Sequence, residues 1–333
     1  MTPRRALVGA GAAAGLAGAL AGGAWALERT IARRTRSRPD PDEGSEFELP
    51  PGLAQKLPSH DGGTIATLEL GEGPAIVLSH GVILSNRTWV KQFEALPGQG
   101  FRVIAFDHRG HGDSEAGSSG HSVDNLADDV RTVLDALTVR DAVLVGHSMG
   151  GIAVLAYVTR HPEHAAEHLR GIVLLSTLFR VRISEMPRLQ QLLRLVTARS
   201  PDFGAVLRRR DLGLVLARIG FGTNPRPSHV ELTRQMIASC AAETSRLAPQ
   251  ALLSLDLTAV LPTITLPTLV VCGTSDVITP PAESRRIAEL IPGARLELFP
   301  KAGHMLMLER AEELDALIVD FVREVGANAS LAG

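Results

Sequence analysis

The sequence predicts an α/β protein with an open, mostly parallel β-sheet, helices on both faces of the sheet, and a helical insertion late in the chain. From residue 55 onward, short apolar runs alternate with stretches of helical periodicity. Nearly continuous apolar strands are typical of parallel sheets that are covered on both faces. The alternation stops over residues 178–265, which carry helical patterns only. In such doubly wound sheets, ligands bind at the carboxyl ends of the strands.

The expected strands begin with a hairpin. Residues 55–59 and 64–70 flank Asp61-Gly62-Gly63, a turn sequence that favours a hairpin. The other expected strands are the apolar runs 75–79, 102–106, 142–146, 171–176, 268–273 and 294–299. Helices are expected between them, at 149–160, 280–290 and 309–325 and in a segment that starts after Ser122, a residue type favoured at the N-cap.

The chain is expected to divide into four parts. Residues 1–35 form a signal or membrane-anchor segment, and residues 36–54, with several prolines, glycines and acids, form a linker. Residues 55–177 and 266–326 build the α/β core. Residues 178–265 form a helical cap, with helices expected around 185–198, 204–219, 228–243 and 246–256.

The N-terminal segment contains an uncharged apolar run over residues 6–27. As a helix of about 33 Å it could cross a bilayer core, which favours an apolar anchor helix. Ala24-Trp25-Ala26 fits a signal cleavage site instead, and a mobile apolar tail is the third interpretation. Five arginines follow the run and two precede it, so an anchor would keep the folded domain in the cytoplasm. We therefore expect a membrane-associated or exported protein, with the side of the membrane open.

Composition excludes several classes of protein. The 45% of apolar residues can form a large core, and the net charge of −2 does not suggest a nucleic-acid partner. Residues 1–38 and 178–260 each carry +6, which leaves −14 on the rest of the chain. Basic patches of this kind attract anionic membrane surfaces. Cys240 and Cys272 are expected to be free thiols, and no zinc-finger spacing occurs.

The strongest chemical signal is a serine in a sharp turn. Gly146-His147-Ser148-Met149-Gly150-Gly151 follows an expected strand and precedes an expected helix. A nucleophile elbow needs this setting, because its glycines keep Cβ atoms out of a turn from which the serine hydroxyl projects. Serine is a weak nucleophile, so a base must accept its proton as it attacks a carbonyl. Ser148 is therefore the candidate nucleophile.

Four further motifs follow expected strands. They are His80-Gly81, the run 107–114 (DHRGHGDS), Gly273-Thr274-Ser275-Asp276 and Gly303-His304. With these motifs and the serine turn, the chain resembles the α/β-hydrolase superfamily over roughly residues 55–325. The resemblance implies an α/β-hydrolase fold whose inserted helical cap covers the site. The order Ser, Asp, His along the chain is the order that this fold uses.

His304 and Asp276 complete a candidate catalytic triad. His304 follows the last expected strand and is the candidate base for Ser148. A neutral imidazole needs a carboxylate at its other nitrogen to fix the tautomer and to stabilise the imidazolium. Asp276 is the candidate for that carboxylate.

The resemblance also implies an oxyanion hole. The tetrahedral intermediate needs preorganised N–H donors, and these are expected to be the backbone N–H groups of Met149 and Val82. Ile83 is the alternative to Val82. Other polar residues of the neighbouring loops are expected to brace those loops rather than to react: His80, Asp107, Arg109 and Asp113.

Three histidines near the end of one expected helix resemble a metal site. His161, His164 and His168 occur together with Glu163 and Glu167, and His164 and His168 lie four residues apart, on one helical face. Nothing nearby in the sequence completes a site, so a solvated helix end is the favoured interpretation. We expect neither a metal nor a cofactor.

The expected activity is hydrolysis of a carboxylic ester through an acyl-enzyme. The leucine-rich cap is expected to help line an apolar pocket for a small-molecule or lipid ester. The resemblance argues against epoxide hydrolases and haloalkane dehalogenases, which carry aspartate where this chain has Ser148. Other triad reactions stay open: carbon–carbon or thioester hydrolysis, acyl transfer, and cofactor-free haloperoxidase or perhydrolase activity. A non-catalytic receptor or a structural membrane protein is the alternative outside catalysis, and the sequence does not indicate the oligomeric state.

Overall fold

A central eight-stranded sheet has the order β1-β2-β4-β3-β5-β6-β7-β8 in the computed structural model, which describes residues 26–181 and 209–332, the last five by their backbone alone. Strand β2 is antiparallel to both of its neighbours, and the other pairings are parallel. The predicted mostly parallel sheet is confirmed. The strands are β1 (Leu53–Pro58), β2 (Thr64–Leu70), β3 (Ala75–Ser79), β4 (Arg102–Phe106), β5 (Ala142–His147), β6 (Leu169–Leu175), β7 (Thr268–Gly273) and β8 (Arg295–Phe299).

Helices occupy the intervals between the strands. They are α1 (26–36), α2 (Val90–Ala95), α3 (Val123–Ala136), α4 (Met149–Arg160), α5 (Pro162–His168), α6 (Arg210–Arg218), α7 (Pro227–Ser239), α8 (Ala242–Ala251), α9 (Pro281–Leu290), α10 (Leu306–Glu309) and α11 (Ala311–Ala332). The hydroxyl of Ser122 accepts from the backbone N–H of Asn125 at 3.0 Å. The predicted N-cap of α3 is therefore confirmed.

The central strands are apolar throughout because helices cover both of their faces. All residues of β3, β5 and β7 are buried. Alternate side chains enter different layers: Ile76 and Leu78 join one apolar cluster, and Val77 joins the other. The first cluster takes in α2 and α11, and the second takes in α3, α4 and α9. Cys240 and Cys272 are free and buried, as expected.

The strand order reverses at the middle of the sheet. The chain passes from β3 to β4 on one side and then crosses to β5 on the other side of β3. Such a switch point leaves a crevice outside the carboxyl ends of β3 and β5, because the connections that follow these two strands run in opposite directions. The loops that contain Gly81 and Ser148 follow these two strands. The topology therefore places both loops at the expected ligand position.

The helical insertion lies between β6 and β7. Val181 donates its N–H to Leu255 O at 2.9 Å, which joins the two ends of the insertion at its base. Helices α6, α7 and α8 correspond to three of the four predicted cap helices. The other one, around 185–198, lies outside the described residues.

The N-terminal apolar run lies almost entirely outside the described residues, which take up the chain at residue 26. Across the two described ranges, none of the helices combines the length and apolar composition needed to cross a membrane. Beyond α1, the segment predicted as a linker contacts the cap, since Asp42 accepts from Arg226 at 2.5 Å and from His229 Nε2 at 3.0 Å. Phe47 is buried in the core.

One buried carboxyl group joins two helices of the fold. Asp315 of α11 is 4% exposed and accepts from Gln92 Nε2 of α2 at 2.8 Å. Burial raises the pKa of Asp315 to about 6, although the hydrogen bond from Gln92 lowers it in part. The folded state therefore holds the Asp315 proton more tightly than the unfolded chain does. Ionisation of this carboxyl lowers stability as the pH rises from about 4 through 6.

We expect Asp315→Asn to stabilise the protein at alkaline pH, because the amide keeps the acceptor oxygen and carries no charge. The gain in free energy of unfolding should be about 2 kcal/mol larger at pH 8 than at pH 4.5. Urea unfolding at the two pH values measures it. Asp320→Asn, at an exposed position of the same helix, is the matched control. Equal gains at both pH values would contradict the assignment.

Candidate active site

Ser148 lies in a strained turn between β5 and α4. Its backbone has φ 52° and ψ −117°, a conformation that is rare for residues other than glycine. Such strain costs on the order of 1–3 kcal/mol and persists only where the surrounding structure enforces it. The turn is held by hydrogen bonds from Ser148 N to Leu175 O at 3.0 Å and from Thr177 Oγ1 to Ser148 O at 2.7 Å. The structure thus supports Ser148 as a projecting hydroxyl at the end of β5.

The glycines of this turn are required by close packing of the backbone. A Cβ on Gly146 would lie 2.5 Å from Gly150 O, and a Cβ on Gly150 would lie 2.2 Å from Ser79 O. Real Cβ contacts do not come this close. Helix α4 can therefore start directly after Ser148 only with glycine at these two positions. This confirms the reason given for the glycines of the motif.

His304 and Asp276 come together although 28 residues separate them. His304 Nδ1 lies 2.9 Å from Asp276 Oδ2, and both residues are nearly inaccessible to solvent. A carboxylate oxygen can only accept, so Nδ1 carries the proton and Nε2 is left as the basic nitrogen. The structure brings together two of the three predicted residues in the geometry that orients a catalytic base.

Asp276 is held as a carboxylate by a set of donors. Its Oδ1 accepts from the N–H groups of Ile278 at 2.9 Å and Thr279 at 2.8 Å, and its Oδ2 accepts from Thr279 Oγ1 at 2.7 Å. Burial by itself raises the pKa of Asp276, but the attraction of His304 and the hydrogen bonds of His304 and Thr279 lower it to about 2. Asp276 is consequently ionised wherever the protein is folded near neutral pH. Sequence reasoning missed Thr279.

The serine turn and the histidine loop meet through His147. Its Nε2 lies 3.1 Å from His304 O, and the two imidazole rings are 4.6 Å apart. Burial lowers the pKa of His147 well below its usual range, so its ring is neutral and Nε2 donates to the carbonyl. The residue before Ser148 thus binds the backbone of His304. The turn motif placed residue 147 at the end of a strand, but it did not indicate that His147 contacts His304.

The predicted oxyanion donors lie beside Ser148. Met149 is the first residue of α4. The backbone N–H groups of the first helical turn have no partner within the helix and form the positive end of its dipole. The loop after β3 lies close to the serine, since a Cβ on Gly81 would be 3.2 Å from Ser148 Cβ. Val82 follows directly and is partly exposed. The two segments that carry the predicted N–H donors therefore meet at Ser148.

Two of the residues predicted as braces hold loops beside the site. His80 donates from Nδ1 to Gly81 O at 2.7 Å and accepts at Nε2 from His108 N at 3.0 Å. Asp107 accepts from the backbone N–H groups of Asn86 at 2.7 Å and Asp113 at 3.0 Å. Burial raises the pKa of Asp107 to about 6, against the lowering effect of these donors. His80 and Asp107 are confirmed as supports of the loops beside the site.

Arg109 forms an ion network inside the protein. Its guanidinium group donates to Asp129 at 2.6 and 2.8 Å, to Asp61 at 2.9 Å and to Gly120 O at 2.8 Å. The side chain is 1% exposed, so both carboxylates serve as the partners that a buried cation needs. This confirms the brace interpretation. The two aspartates could not be identified from the sequence, because they belong to the β1–β2 hairpin and to α3.

The cap and the histidine loop are joined directly. His304 N donates to Gly220 O at 2.8 Å, and Glu309 accepts from Gly222 N at 2.7 Å and Gly303 N at 2.9 Å. Burial raises the pKa of Glu309, against the effect of these backbone donors. One carboxyl group therefore ties the base of the cap to the residue before His304. No motif near Glu309 in the sequence indicated this role.

An exposed apolar patch adjoins the candidate site. Ile219 at the end of α6, and Val277 and Ile278 directly after Asp276, are 48%, 67% and 45% exposed. Large apolar side chains grouped in this way often mark a binding surface. The arrangement as a whole can activate a hydroxyl, stabilise an oxyanion and receive an apolar group.

Comparison with known proteins agrees with this geometry. The family model described as alpha/beta hydrolase fold matches residues 74–311. A non-heme chloroperoxidase from Kitasatospora aureofaciens is 32% identical over 74% of this chain and 90% of its own length. The solved structure of an esterase from Exiguobacterium antarcticum has a TM-score of 0.72 and 25% identity, and it covers 81% of this chain and all of that one. A thermophilic esterase from Thermogutta terrifontis has a TM-score of 0.68 and 29% identity over 82% and 99% of the two chains.

We expect Thr279→Val to raise the pKa of Asp276 toward its ordinary value, because the substitution removes one donor to the carboxylate and leaves the shape of the side chain. A titration of the Asp276 carboxyl carbon by NMR measures the change. Thr279→Ser keeps the hydroxyl and is the matched control, which should titrate as the native protein does. An unchanged Asp276 titration in the valine variant would show that the hydroxyl does not stabilise the charge.

Proposed function

The chain belongs to the α/β-hydrolase family, and on that premise we propose that it is a serine hydrolase that cleaves carboxylic esters through an acyl-enzyme. The observation that carries the proposal is the buried Asp276–His304 hydrogen bond of 2.9 Å beside the strained turn at Ser148. A surface histidine or a simple connecting turn needs neither feature. Solved esterases with the same fold add support, since two of them match about four-fifths of this chain.

The first half of the reaction would form the acyl-enzyme. The Ser148 hydroxyl attacks the ester carbonyl while His304 Nε2 accepts its proton, and the negative charge of Asp276 stabilises the resulting imidazolium. The carbonyl oxygen becomes an oxyanion, which the N–H groups of Met149 and Val82 would bind. His304 then returns the proton to the departing alkoxide. The alcohol leaves and the acyl group stays on Ser148.

Water would complete the turnover. His304 removes a proton from a water molecule as it attacks the acyl-enzyme, and the proton then returns to Ser148 as the carboxylic acid departs. The apolar patch of Ile219, Val277 and Ile278 favours a substrate whose acyl or alcohol group is apolar. The substrate class that fits best is therefore a small-molecule ester, with lipid esters as the larger members of that class.

Perhydrolysis is the second candidate activity, because the chain is similar to a non-heme chloroperoxidase over most of its length. Hydrogen peroxide would take the place of water in the second half of the reaction and would convert the acyl-enzyme to a peracid. This step breaks the same serine ester and needs peroxide as its only co-reactant. Assays of one preparation with water alone and with added peroxide and acetate separate the two activities.

We expect Ser148→Ala to abolish labelling by a fluorophosphonate probe, because the probe needs the activated hydroxyl. The kcat for p-nitrophenyl esters should fall on the order of 10⁴–10⁶-fold, as in other triad enzymes. Gel fluorescence and steady-state kinetics over a series of acyl lengths measure both effects.

Ser275→Ala is the matched control for this experiment. Ser275 is a partly exposed serine next to Asp276, and its loss should leave labelling intact. Labelling that survives in Ser148→Ala, in protein with a native unfolding curve, would move the nucleophile to another residue. Native labelling without turnover of any ester in the series would argue against ester hydrolysis.

We also propose that residues 6–27 attach the chain to a membrane or direct its export. The support is the uncharged run and the five arginines that follow it. Deletion of residues 2–24 should move the protein from the membrane pellet to the soluble fraction, as judged by fractionation and immunoblotting. The matched control is Arg4→Ala with Arg5→Ala, which keeps the run. A full-length chain in the cytoplasmic fraction with an intact N-terminus would contradict both the anchor and the signal.

A further inference from the structure

We propose that Asp135, His164 and His168 form a binding site for one transition-metal ion of the Zn²⁺ class. One ligand atom from each of the three residues lies within 4.8 Å of the others. His164 and His168 lie one turn apart on α5, and Asp135 lies near the end of α3. Both helices end just before a strand begins, so the cluster lies at the amino ends of β5 and β6. The candidate active site lies beyond the opposite ends of the strands.

The three ligand atoms lie close together. Asp135 Oδ1 lies 2.8 Å from His164 Nε2 and 3.5 Å from His168 Nε2. The two rings are stacked, with centroids 3.8 Å apart and planes inclined by 17°. Ligand atoms around a tetrahedral ion with bonds of about 2.0 Å are roughly 3.3 Å apart. The two Asp135–histidine separations bracket this value, and rotation of one ring out of the stack would aim both Nε2 atoms at one ion.

The hydrogen bond from His168 Nδ1 leaves a lone pair on Nε2 that could bind a cation. Its Nδ1 lies 2.8 Å from His164 O, and a carbonyl can only accept, so Nδ1 carries the proton. Metal-binding histidines usually donate from the second nitrogen in this way, which fixes the ring. His168 is 2% exposed and therefore has little freedom to turn away.

His164 has a partner that permits the same arrangement. Its Nε2 donates to Asp135 in the metal-free protein, and its Nδ1 lies 2.6 Å from the hydroxyl of Tyr157. A bound ion would replace the Nε2 proton, and the ring proton would move to Nδ1. The phenol can accept from Nδ1 as well as donate to it. Tyr157 is fully buried, so its hydroxyl stays next to the ring in both states.

The third ligand is the residue that sequence reasoning missed. The spacing of the histidines suggested a solvated helix end, because nothing nearby in the sequence completes a site. Asp135 lies 29 residues before His164 and reaches it only in the folded chain. His161 does not belong to the cluster, since it binds Asp128 at 2.7 Å. Two imidazole nitrogens and one carboxylate oxygen suit Zn²⁺, Ni²⁺ or Cu²⁺, with water in the remaining position.

Arg140 occupies the open side of the cluster. Its Nη1 lies 2.5 Å from His168 Nε2 and 2.9 Å from Nδ1, and it donates to the unprotonated Nε2. The side chain is 54% exposed, so it can swing into solvent when an ion binds. A guanidinium competes with a metal cation for the same lone pair. Removal of Arg140 should therefore strengthen metal binding, which a merely structural cluster would not do.

Calorimetry with ZnCl₂ on the full-length protein, purified without a histidine tag, tests the proposal. We expect one equivalent to bind to the native chain, and at least a tenfold loss of affinity in His168→Gln and in Asp135→Asn. Arg140→Gln should bind severalfold more tightly. His161→Gln, on the neighbouring turn, is the matched control and should bind as the native chain does. Thermal unfolding without metal establishes that each variant folds.

The outcomes separate clearly. Native affinity in both His168→Gln and Asp135→Asn would overturn the site, as would the absence of a one-to-one binding isotherm for the native chain. Asp135 is half-exposed, so we expect Asp135→Asn to fold. This variant therefore keeps the test decisive even if the variant of the buried His168 does not fold. Labelling of Ser148 is a separate measurement, and its failure would bear on the proposed hydrolase activity and not on metal binding.

Discussion

The hydrogen bond between the buried carboxylate of Asp276 and His304 is the interaction on which the candidate site depends. A charge in this position is stable only if donors surround it, because the protein interior solvates ions poorly. The main-chain N–H groups of residues 278 and 279 and the Thr279 hydroxyl meet that need. The carboxylate in turn fixes the ring of His304 and leaves Nε2 as its basic nitrogen. The geometry of the loop after β7 thus determines which nitrogen of His304, in the loop after β8, carries the proton.

Other buried polar groups keep the surrounding loops in place. Arg109 with its two aspartates fixes the loop after β4, and Glu309 fixes the base of the cap against the histidine loop. In each case a fully engaged charged group joins segments that are distant in the chain. Loss of one partner from such a network leaves another buried group without its hydrogen bond, which is more costly than loss of a surface contact. The loops around the site are consequently held by polar contacts, whereas apolar packing holds the sheet.

The parallel sheet separates two chemical surfaces. The connections that follow the strands carry Ser148, Asp276 and His304, and the helix ends that precede the strands carry Asp135 and the two stacked histidines. A cation at the second surface would therefore stand apart from the reacting atoms. It would join α3 to α5, which pack on one face of the sheet, and so act on stability and not on the chemistry of an ester.

The fold class was predictable from the sequence because strand burial and helix amphipathicity are local patterns. The apolar runs predicted all eight strands, and no strand bound differed by more than two residues from the prediction. The serine turn was predictable as well, since the need for glycine at positions 146 and 150 arises from backbone packing around a turn of six residues. The roles of Asp276 and His304 came from a resemblance between motifs, and the structure then supplied their contact.

The remaining features depend on which side chains meet after folding. Thr279, Glu309 and Asp135 are ordinary residues in the sequence, and nothing in their neighbours distinguishes them. The first acts on a carboxylate three residues away, and the others act on groups 6 to 87 residues away. The sequence alone therefore determined the architecture and the position of the candidate nucleophile. Only the tertiary structure decided which polar groups support it, because hydrogen bonds act over about 3 Å in space regardless of distance along the chain.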